Sequence, residues 1–350
     1  MNAPVAGADP AVVGPYLAVA LADPSWRDCT VTLIAGGKSN LTDRVDSPAG
    51  SVVLRRPPLG HVLPTAHDMR REHTVMAALA GSAVPVPAMR HFCEDASVLG
   101  QPFYVMERVE GHVCRSELPP GYADAPEQRR AIGEGLIRVL ADLHQIDPES
   151  VGLGSFGRPE GYLARQVSRW GKQWDATRSE GVQDLDQLAA DLAASVPASS
   201  RTGIVHGDYR LDNTLLDPTT PGRVAAVLDW EMSTLGDPIA DLGMLFVYWS
   251  EPGDSEVRGQ ASVVPAATHL PGFPSRAEVV ELYLAHTPAN LDALPWAESF
   301  AFFKLAVVCA GIAARAEGGS MVGDGFEGIK DRIGPLVELG RATLADGQLH

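Results

Sequence analysis

Ile204-Val205-His206-Gly207-Asp208-Tyr209-Arg210-Leu211-Asp212-Asn213-Thr214-Leu215-Leu216, followed by Val227-Leu228-Asp229-Trp230, sets polar side chains between apolar runs in a telling order. An apolar run enters a loop that carries His206, Asp208 and Asn213, and an apolar hairpin then delivers Asp229. Asp and Asn dominate loops for conformational reasons alone, so any one of these is a turn residue by default. The set is less ordinary. Ala225-Ala226-Val227-Leu228 reads as buried, and an Asp at the end of a buried strand is costly without a partner. Two carboxylates and a carboxamide are also what phosphoryl transfer to a hydroxyl requires. One carboxylate accepts a hydrogen bond from the attacking hydroxyl, while the carboxamide and the second carboxylate hold the magnesium that neutralises a triphosphate. Asp208 is then the candidate base, and Asn213 and Asp229 are the candidate Mg2+ ligands.

Outward from this segment the pattern differs on the two sides. Toward the N-terminus, β-type runs at Thr30 to Ala35, Leu41 to Asp46, Ser51 to Arg56, Met89 to Cys93 and Phe103 to Val109 are broken by turn residues. A helical segment from about Ala66 to Leu79 lies between the third and fourth, so the order is β-β-β-α-β-β. After Glu110-Gly111 helices take over, the first marked by Asp124 as N-cap, an early Pro126 and Glu127. Further helices are expected over Pro159 to Glu180 and Asp184 to Ser195. Gly203 to Trp230 reads as two short hairpins with a polar loop between them. Helices return after Asp237, one opened by Ser275-x-x-Glu278 and one centred on Phe302 to Ala316. The fold class is α+β and bilobal: a β-rich N-lobe over 1–108 and a mainly helical C-lobe over 109–350, with the chemistry expected in the crevice between them.

Composition narrows the class further. Among 350 residues, 28 Lys and Arg face 44 Asp and Glu for a formal charge of −16, which repels a polyphosphate chain and argues against nucleic acid as partner. The four cysteines form no close pair, as fits a reducing cytoplasm. Met1 to Ala22 is interrupted by Asp9, Pro10, Gly14 and Pro15, and no run approaches the roughly 18 uninterrupted apolar residues of a spanning helix, so no membrane partner is expected.

His206-Gly207-Asp208 with Asn213, then Asp229-Trp230, resembles the signature of the aminoglycoside phosphotransferase and choline kinase superfamily, whose fold is similar to that of protein kinases. The extension Asp229-Trp230-Glu231-Met232-Ser233-Thr234-Leu235-Gly236-Asp237-Pro238, with Asp241-Leu242 after it, is most similar to the kinase-like domains of acyl-CoA dehydrogenase family members 10 and 11. The resemblance runs from about Val31 to Arg315, and no dehydrogenase domain is expected within this chain. It implies a basic residue on the third strand that pairs with a helix glutamate and reaches the α- and β-phosphates. Arg55 and Glu72 hold those places; Glu72 shares a helix face with Met69, Met76 and Leu79, where a carboxylate should be paired. Arg55 departs from the lysine of most kinases, which bears on rate and nucleotide preference, and the bland alternative puts Arg55 and Arg56 on the surface of an edge strand.

The resemblance also places a nucleotide-covering loop at Gly36-Gly37-Lys38-Ser39-Asn40, with Gly37, Ser39 and Asn40 near the phosphates. Gly-Lys-Ser here is no P-loop, because Thr32 stands where its first glycine would be and no helix pattern follows. Phe103 to Gly111 resembles the hinge between lobes, with Met106 near the gatekeeper position and backbone groups of Glu107 and Val109 on the adenine edge. His206 is expected to brace the catalytic loop, Asp237 and Asp241 to anchor the segment beneath it, and Arg210 either to contact phosphate or to pair with an acid. Tyr248, Trp249, Phe302, Phe303 and Lys304 read as core at helical spacing rather than as pocket lining. The function implied is an ATP- and magnesium-dependent kinase acting on a hydroxyl of a small molecule, either a hydroxyacyl compound or an aminoglycoside or amino alcohol. The alternative is a non-catalytic nucleotide-binding module that keeps the kinase fold.

Overall fold

Strand alternation organises the first part of the chain. The computed structural model describes residues 5–35, 40–58, 68–178, 183–264, 266–317 and 328–350. Its chain divides into two compact units, one made of Met1–Glu110 with Ala226–Ser233 and the other of Gly111–Ala225 with Thr234–His350. The first unit contains α1 (Pro10–Ala20), β1 (Thr30–Ala35), β2 (Leu41–Ser47), β3 (Gly50–Arg56), α2 (Met69–Leu79), β4 (Met89–Cys93), α3 (Ala96–Leu99) and β5 (Phe103–Glu107). Its antiparallel sheet has the order β1-β2-β3-β5-β4.

Because side chains alternate across a strand, Val52 and Leu54 of β3 and Phe103 and Val105 of β5 share one face, where they form a core with Val13 and Leu17 of α1 and Trp26 of the turn after it. The intervening residues, Arg55 and Tyr104, are register partners on the opposite face, and α2 packs against β4 and β5. β3 is central rather than an edge, which overturns the surface alternative for its arginines. Arg56 is buried and donates from Nε to Asp43 Oδ2 at 2.7 Å.

Helix α1 has no counterpart among the elements expected from sequence. Asp9 caps it by accepting from the Ala11 N–H at 2.9 Å, and Pro10 at its first position needs no hydrogen-bond partner. Gly14 within it lies so close to the Arg27 carbonyl that a Cβ would sit 2.3 Å from that oxygen.

The second unit holds α4 (Pro126–Gln145), α5 (Tyr162–Thr177), α6 (Gln183–Ala194), β6 (Gly203–Val205), β7 (Thr214–Leu216), the start of β8 (Val224–Val227), β9 (Thr234–Gly236), α7 (Ile239–Tyr248), α8 (Glu256–Ala261), α9 (Arg276–His286), α10 (Leu294–Glu317) and α11 (Ile333–Asp346). Helix α4 is capped one residue later than expected: Ala125 is the cap and Gln128 Oε1, not Glu127, accepts its N–H at 3.0 Å. Ser275 and Glu278 form the expected capping box of α9. The two-hairpin expectation for Gly203 to Trp230 is half corrected, since β6 pairs with β9 rather than with its neighbour, and only β7 and β8 form a hairpin.

Helix α10 packs against α5, α7 and α11. Its Leu294–Ala316 stretch is long and apolar enough by composition to cross a membrane, yet 83% of that window is buried, as befits the core helix it is here. Glu298 on α10 is buried beside Arg258, and burial pushes its carboxyl up to about 7 against the pull of that guanidinium. A raised carboxyl favours the fold while protonated. That contribution is present below the ordinary value of 4.5 and is lost as pH rises through about 7. Glu298→Gln is expected to shrink the fall in stability between about pH 5 and pH 8 by about 1–3 kcal/mol, read from urea unfolding at the two pH values.

Candidate active site

Two groups of side chains, one in each unit, contain eight of the residues singled out from sequence: Asn40, Arg55, Glu72 and Asp229 in the first, and His206, Asp208, Arg210 and Asn213 in the second. In the first unit the sheet face opposite α1 carries Arg55. Its Nε lies 2.9 Å from Glu72 Oε2, and its Nη2 donates to Asp229 Oδ1 at 2.6 Å. Helical spacing brings Glu72 from α2 onto this face, where it is 1% exposed. Tyr104 Oη donates to its Oε2 at 2.9 Å. Burial, joined by the nearby charges of Asp229 and Glu231, pushes the Glu72 carboxyl up to about 7, although Arg55 and the Tyr104 hydrogen bond oppose the rise.

Asn40 belongs to this cluster through its side-chain amide. Its Nδ2 donates inward to Glu72 Oε1 at 2.6 Å and to Glu231 Oε2 at 3.3 Å. Gly37 and Ser39 lie outside the described residues. Asp229 has φ of 64°, the left-handed region that costs a non-glycine residue energy and recurs at functional sites. It precedes the short turn Trp230–Met232, whose Trp230 Nε1 donates back to the Val227 carbonyl at 3.0 Å.

Met106 is buried near the end of β5, opposite Met89 and Val53. The strand ends at Glu107, two residues before the expected Val109. Glu107 N–H is committed to the Ala88 carbonyl at 2.8 Å.

In the second unit β6 feeds the loop. His206 and Gly207 N–H groups donate to Asp241 Oδ2 and Oδ1, each at 2.7 Å. His206 Nδ1 accepts from Asp208 N–H at 3.2 Å, which assigns the ring proton to Nε2. Tyr209 Oη donates to the Leu136 carbonyl of α4 at 2.8 Å. The loop is thus tied down on both sides of Asp208.

The Asp208 carboxylate itself is held on one oxygen, Oδ2, by Asn213 Nδ2 at 2.9 Å and Arg210 Nε at 3.3 Å. Asn213 Nδ2 also donates to the Asp208 carbonyl at 2.7 Å. Arg210 pairs with Asp212 at 3.1 Å and lies over the Tyr248 ring at 4.6 Å, so the pairing alternative describes its position here. Asp237 accepts from Ser200 N–H at 2.8 Å and Ile239 N–H at 3.1 Å, as expected of an anchor.

Three residues make contacts that the sequence did not indicate. His144 of α4 sets Nε2 3.1 Å from Asp241 Oδ2 and Nδ1 2.8 Å from Tyr283 Oη, and nothing in its local pattern marks it. Glu231 was visible beside Asp229, and only the fold brings it to Asn40. Lys304 stands among core aromatics as read, with Trp249, Phe302 and Phe303 buried, but its Nζ donates to the Gly207 carbonyl at 2.8 Å.

Burial alone would raise the Asp241 carboxyl, yet His144, His206 and the Gly207 amide hold it below the usual range. Its stabilising contribution is therefore present above the ordinary value of 3.8 and is lost as pH falls through the depressed one. Asp241→Asn offers one acceptor oxygen where two backbone donors wait, and is expected to cost about 2 kcal/mol in denaturant unfolding at neutral pH.

Whether these residues suit magnesium depends on their donor atoms. Both amide hydrogens of Asn213 are spent on Asp208, which leaves its Oδ1 as the acceptor, and Asp229 offers a carboxylate whose Oδ1 is fixed by Arg55. Hard oxygen donors of this kind, with substrate phosphates completing the shell, are what magnesium takes. Among the described residues no group of three or more His, Cys, Asp or Glu side chains could hold a metal ion.

A strand-borne basic residue paired to a helix carboxylate, together with a loop that presents Asp beside Asn, places the molecule among the protein-kinase-like phosphotransferases. The chain belongs to the phosphotransferase enzyme family known as APH, whose profile matches residues 30–278. Acyl-CoA dehydrogenase family member 11 from Rattus norvegicus is 36% identical over 90% of this chain but only 41% of its own length, so the chain spans about two fifths of that relative. A crystal structure from Ralstonia eutropha, provisionally called an aminoglycoside phosphotransferase, is 32% identical, covers 97% of this chain and 98% of its own, and superposes with a TM-score of 0.79. A thermostable mutant of aminoglycoside phosphotransferase APH(4)-Ia, in a ternary complex with ADP and hygromycin B, is 14% identical over 93% of this chain and 98% of its own, with a TM-score of 0.60. It shares the fold.

Proposed function

We infer that the chain is an ATP- and magnesium-dependent kinase that transfers the γ-phosphoryl group to a hydroxyl of a small molecule. The observation that carries this is the fixed Asp208 carboxylate, held on Oδ2 by Asn213 and Arg210 in a loop anchored to Asp241. Its second oxygen accepts the acceptor's hydroxyl hydrogen bond and takes the proton as the oxygen attacks. Asn213 through Oδ1 and Asp229 are the residues that would hold magnesium, which when bound neutralises charge on the triphosphate.

Arg55, braced by Glu72, reaches the α- and β-phosphates, and its fork permits a bidentate grip that a lysine lacks. Met106 and the backbone of Glu107 and Val109 receive the adenine, and Gly37 and Ser39 cover the phosphates. His206 braces the loop, and Arg210 keeps Asp208 oriented. Residues 1–108 on this account bind the nucleotide and 109–350 carry the loop and the acceptor.

The acceptor is a hydroxylated acyl compound in preference to a polycation. The charged neighbours of Asp208 within its unit include Arg210 and Lys304 beside Asp212, whereas a polycation calls for unpaired acids. The acyl-CoA name of a 36% identical relative points the same way. The test is ADP release from MgATP across a panel of hydroxy acids, hydroxyacyl thioesters, amino alcohols and aminoglycosides. Release that depends on a hydroxyacyl compound is expected. MgATP binding without acceptor-dependent release would establish the non-catalytic module, to which only the Arg55 substitution points; the ion pairs of Arg55 with Glu72 and Asp229 give that arginine a role in the kinase reading instead.

A further inference from the structure

We propose that Lys304 is a positioning residue for the catalytic loop: its ammonium, buried on α10, holds the Gly207 carbonyl and so fixes the peptide that leads into Asp208. Lys304 Nζ donates to the Gly207 oxygen at 2.8 Å, the residue is 9% exposed, and Nζ lies 5.5 Å from the centre of the Trp170 ring on α5. Ammonium groups stay in water unless something compensates their desolvation. No carboxylate lies in ion-pair contact with Lys304 among the described residues; the groups in contact that compensate it are a backbone carbonyl and an aromatic face, with the charges of Asp208 and Asp241 adding at longer range.

The choice of carbonyl is what gives the contact its meaning. Gly207 sits at φ 87°, a left-handed conformation that glycine takes without strain. Its N–H is bound by Asp241 Oδ1 from α7 at 2.7 Å, and its carbonyl by Lys304 from α10. One residue is therefore clamped at both ends by side chains from two different helices, immediately before the candidate base. On the far side, Asn213 holds the Asp208 carbonyl. Loss of the ammonium frees one end of the Gly207 peptide in the conformation that glycine makes most mobile. A displacement of about 1 Å in a reacting group can cost about 10²-fold in rate.

What the loop does rests on the kinase reading above; the clamp stands on the geometry. The test uses the full chain with Lys304→Met. Acceptor-dependent kcat should fall about 30- to 100-fold, while the affinity for MgATP and KM for the acceptor change less than about threefold. Backbone amide exchange of the peptide over 204–213 should quicken at least about tenfold, with α11 unchanged. Lys304→Gln, neutral but still a donor on a shorter stem, should fall between wild type and Lys304→Met, and replaces the latter if it does not fold. Wild-type kcat and exchange in the methionine variant would overturn the proposal. So would parallel loss of activity, nucleotide affinity and exchange protection throughout the second unit, because that marks general packing. If the wild type transfers no phosphoryl group to any acceptor, the functional reading fails separately, and unchanged exchange at 204–213 then overturns the clamp.

Discussion

Asp208→Ala is expected to lower acceptor-dependent phosphoryl transfer by about 10²- to 10⁴-fold, the range that a general base contributes, and to leave MgATP affinity within about threefold of wild type. The two halves of that outcome have different causes. On the proposed mechanism the carboxylate meets the acceptor hydroxyl, so its removal acts on the chemical step. The loop that carries it, however, is anchored through backbone groups of His206 and Gly207 to Asp241, and those bonds survive the substitution. Asn213 loses one of two bonds from its Nδ2 and keeps the one to the Asp208 carbonyl. Asp229→Ala should show the reverse pattern, with weakened magnesium dependence and weakened nucleotide binding. Stopped-flow single-turnover measurements separate the two, since a chemical defect lowers the limiting rate and a binding defect shifts its midpoint.

Arg55→Met should have the largest effect on folding. Arg55 is 14% exposed and pairs with Glu72, which is 1% exposed, and with Asp229, which is 31% exposed. Removal of one partner from a buried ion pair costs about 3–5 kcal/mol, and the partial exposure of Asp229 argues for the lower end. The cost has a pH dependence with a definite sign. Burial has pushed the Glu72 carboxyl up to about 7 even with Arg55 present, so at pH about 6 Glu72 takes up a proton and the variant is spared a buried charge. Without Arg55 that value rises further, so above about pH 7 the variant either holds the proton at a growing cost or carries the charge without its counter-ion. Urea unfolding should find a penalty of about 3 kcal/mol at the higher pH and a smaller one at the lower. Arg55→Lys keeps the charge on a single compact nitrogen and should recover part of the loss, because it cannot reach both carboxylates with separate nitrogens as the fork does.

Part of this arrangement was legible in the sequence. The runs of β3 and β5 are nearly continuously apolar and show no facing of their own; the place of Arg55 came from the resemblance, and only the structure sets Arg55 and Tyr104 opposite Val52, Leu54, Phe103 and Val105. Helical spacing put Glu72 on the buried face of α2. The loop from His206 to Asn213 was legible as a set because its members lie close in sequence, and the structure brings those side chains together.

What escaped has physical reasons. Helix α1 was hidden because Gly14 and Pro15 are helix breakers in isolation, whereas here Gly14 is required by its approach to Arg27 and Pro10 follows the capping Asp9. The β6–β9 pair joins strands of three residues each across residues 206–233, and no local pattern encodes such a partner. Asn40 was read by its neighbours in the glycine-rich loop, yet its amide turns to Glu72. Residues 226–233 belong with the first unit although they follow the helical region in sequence. Lys304 and His144 each act on a partner 97 residues away along the chain, Gly207 and Asp241, in contacts that only tertiary packing creates.

Phosphorus NMR of the chain incubated with MgATP and a hydroxyacyl acceptor tests the central claim most directly. A new phosphomonoester resonance that grows as the γ-phosphate signal declines, and that is absent with folded, ATP-binding Asp208→Ala, is the predicted result. A phosphomonoester formed at the wild-type rate by Asp208→Ala, or MgATP binding with no phosphomonoester from any hydroxyl acceptor in the panel, would contradict it.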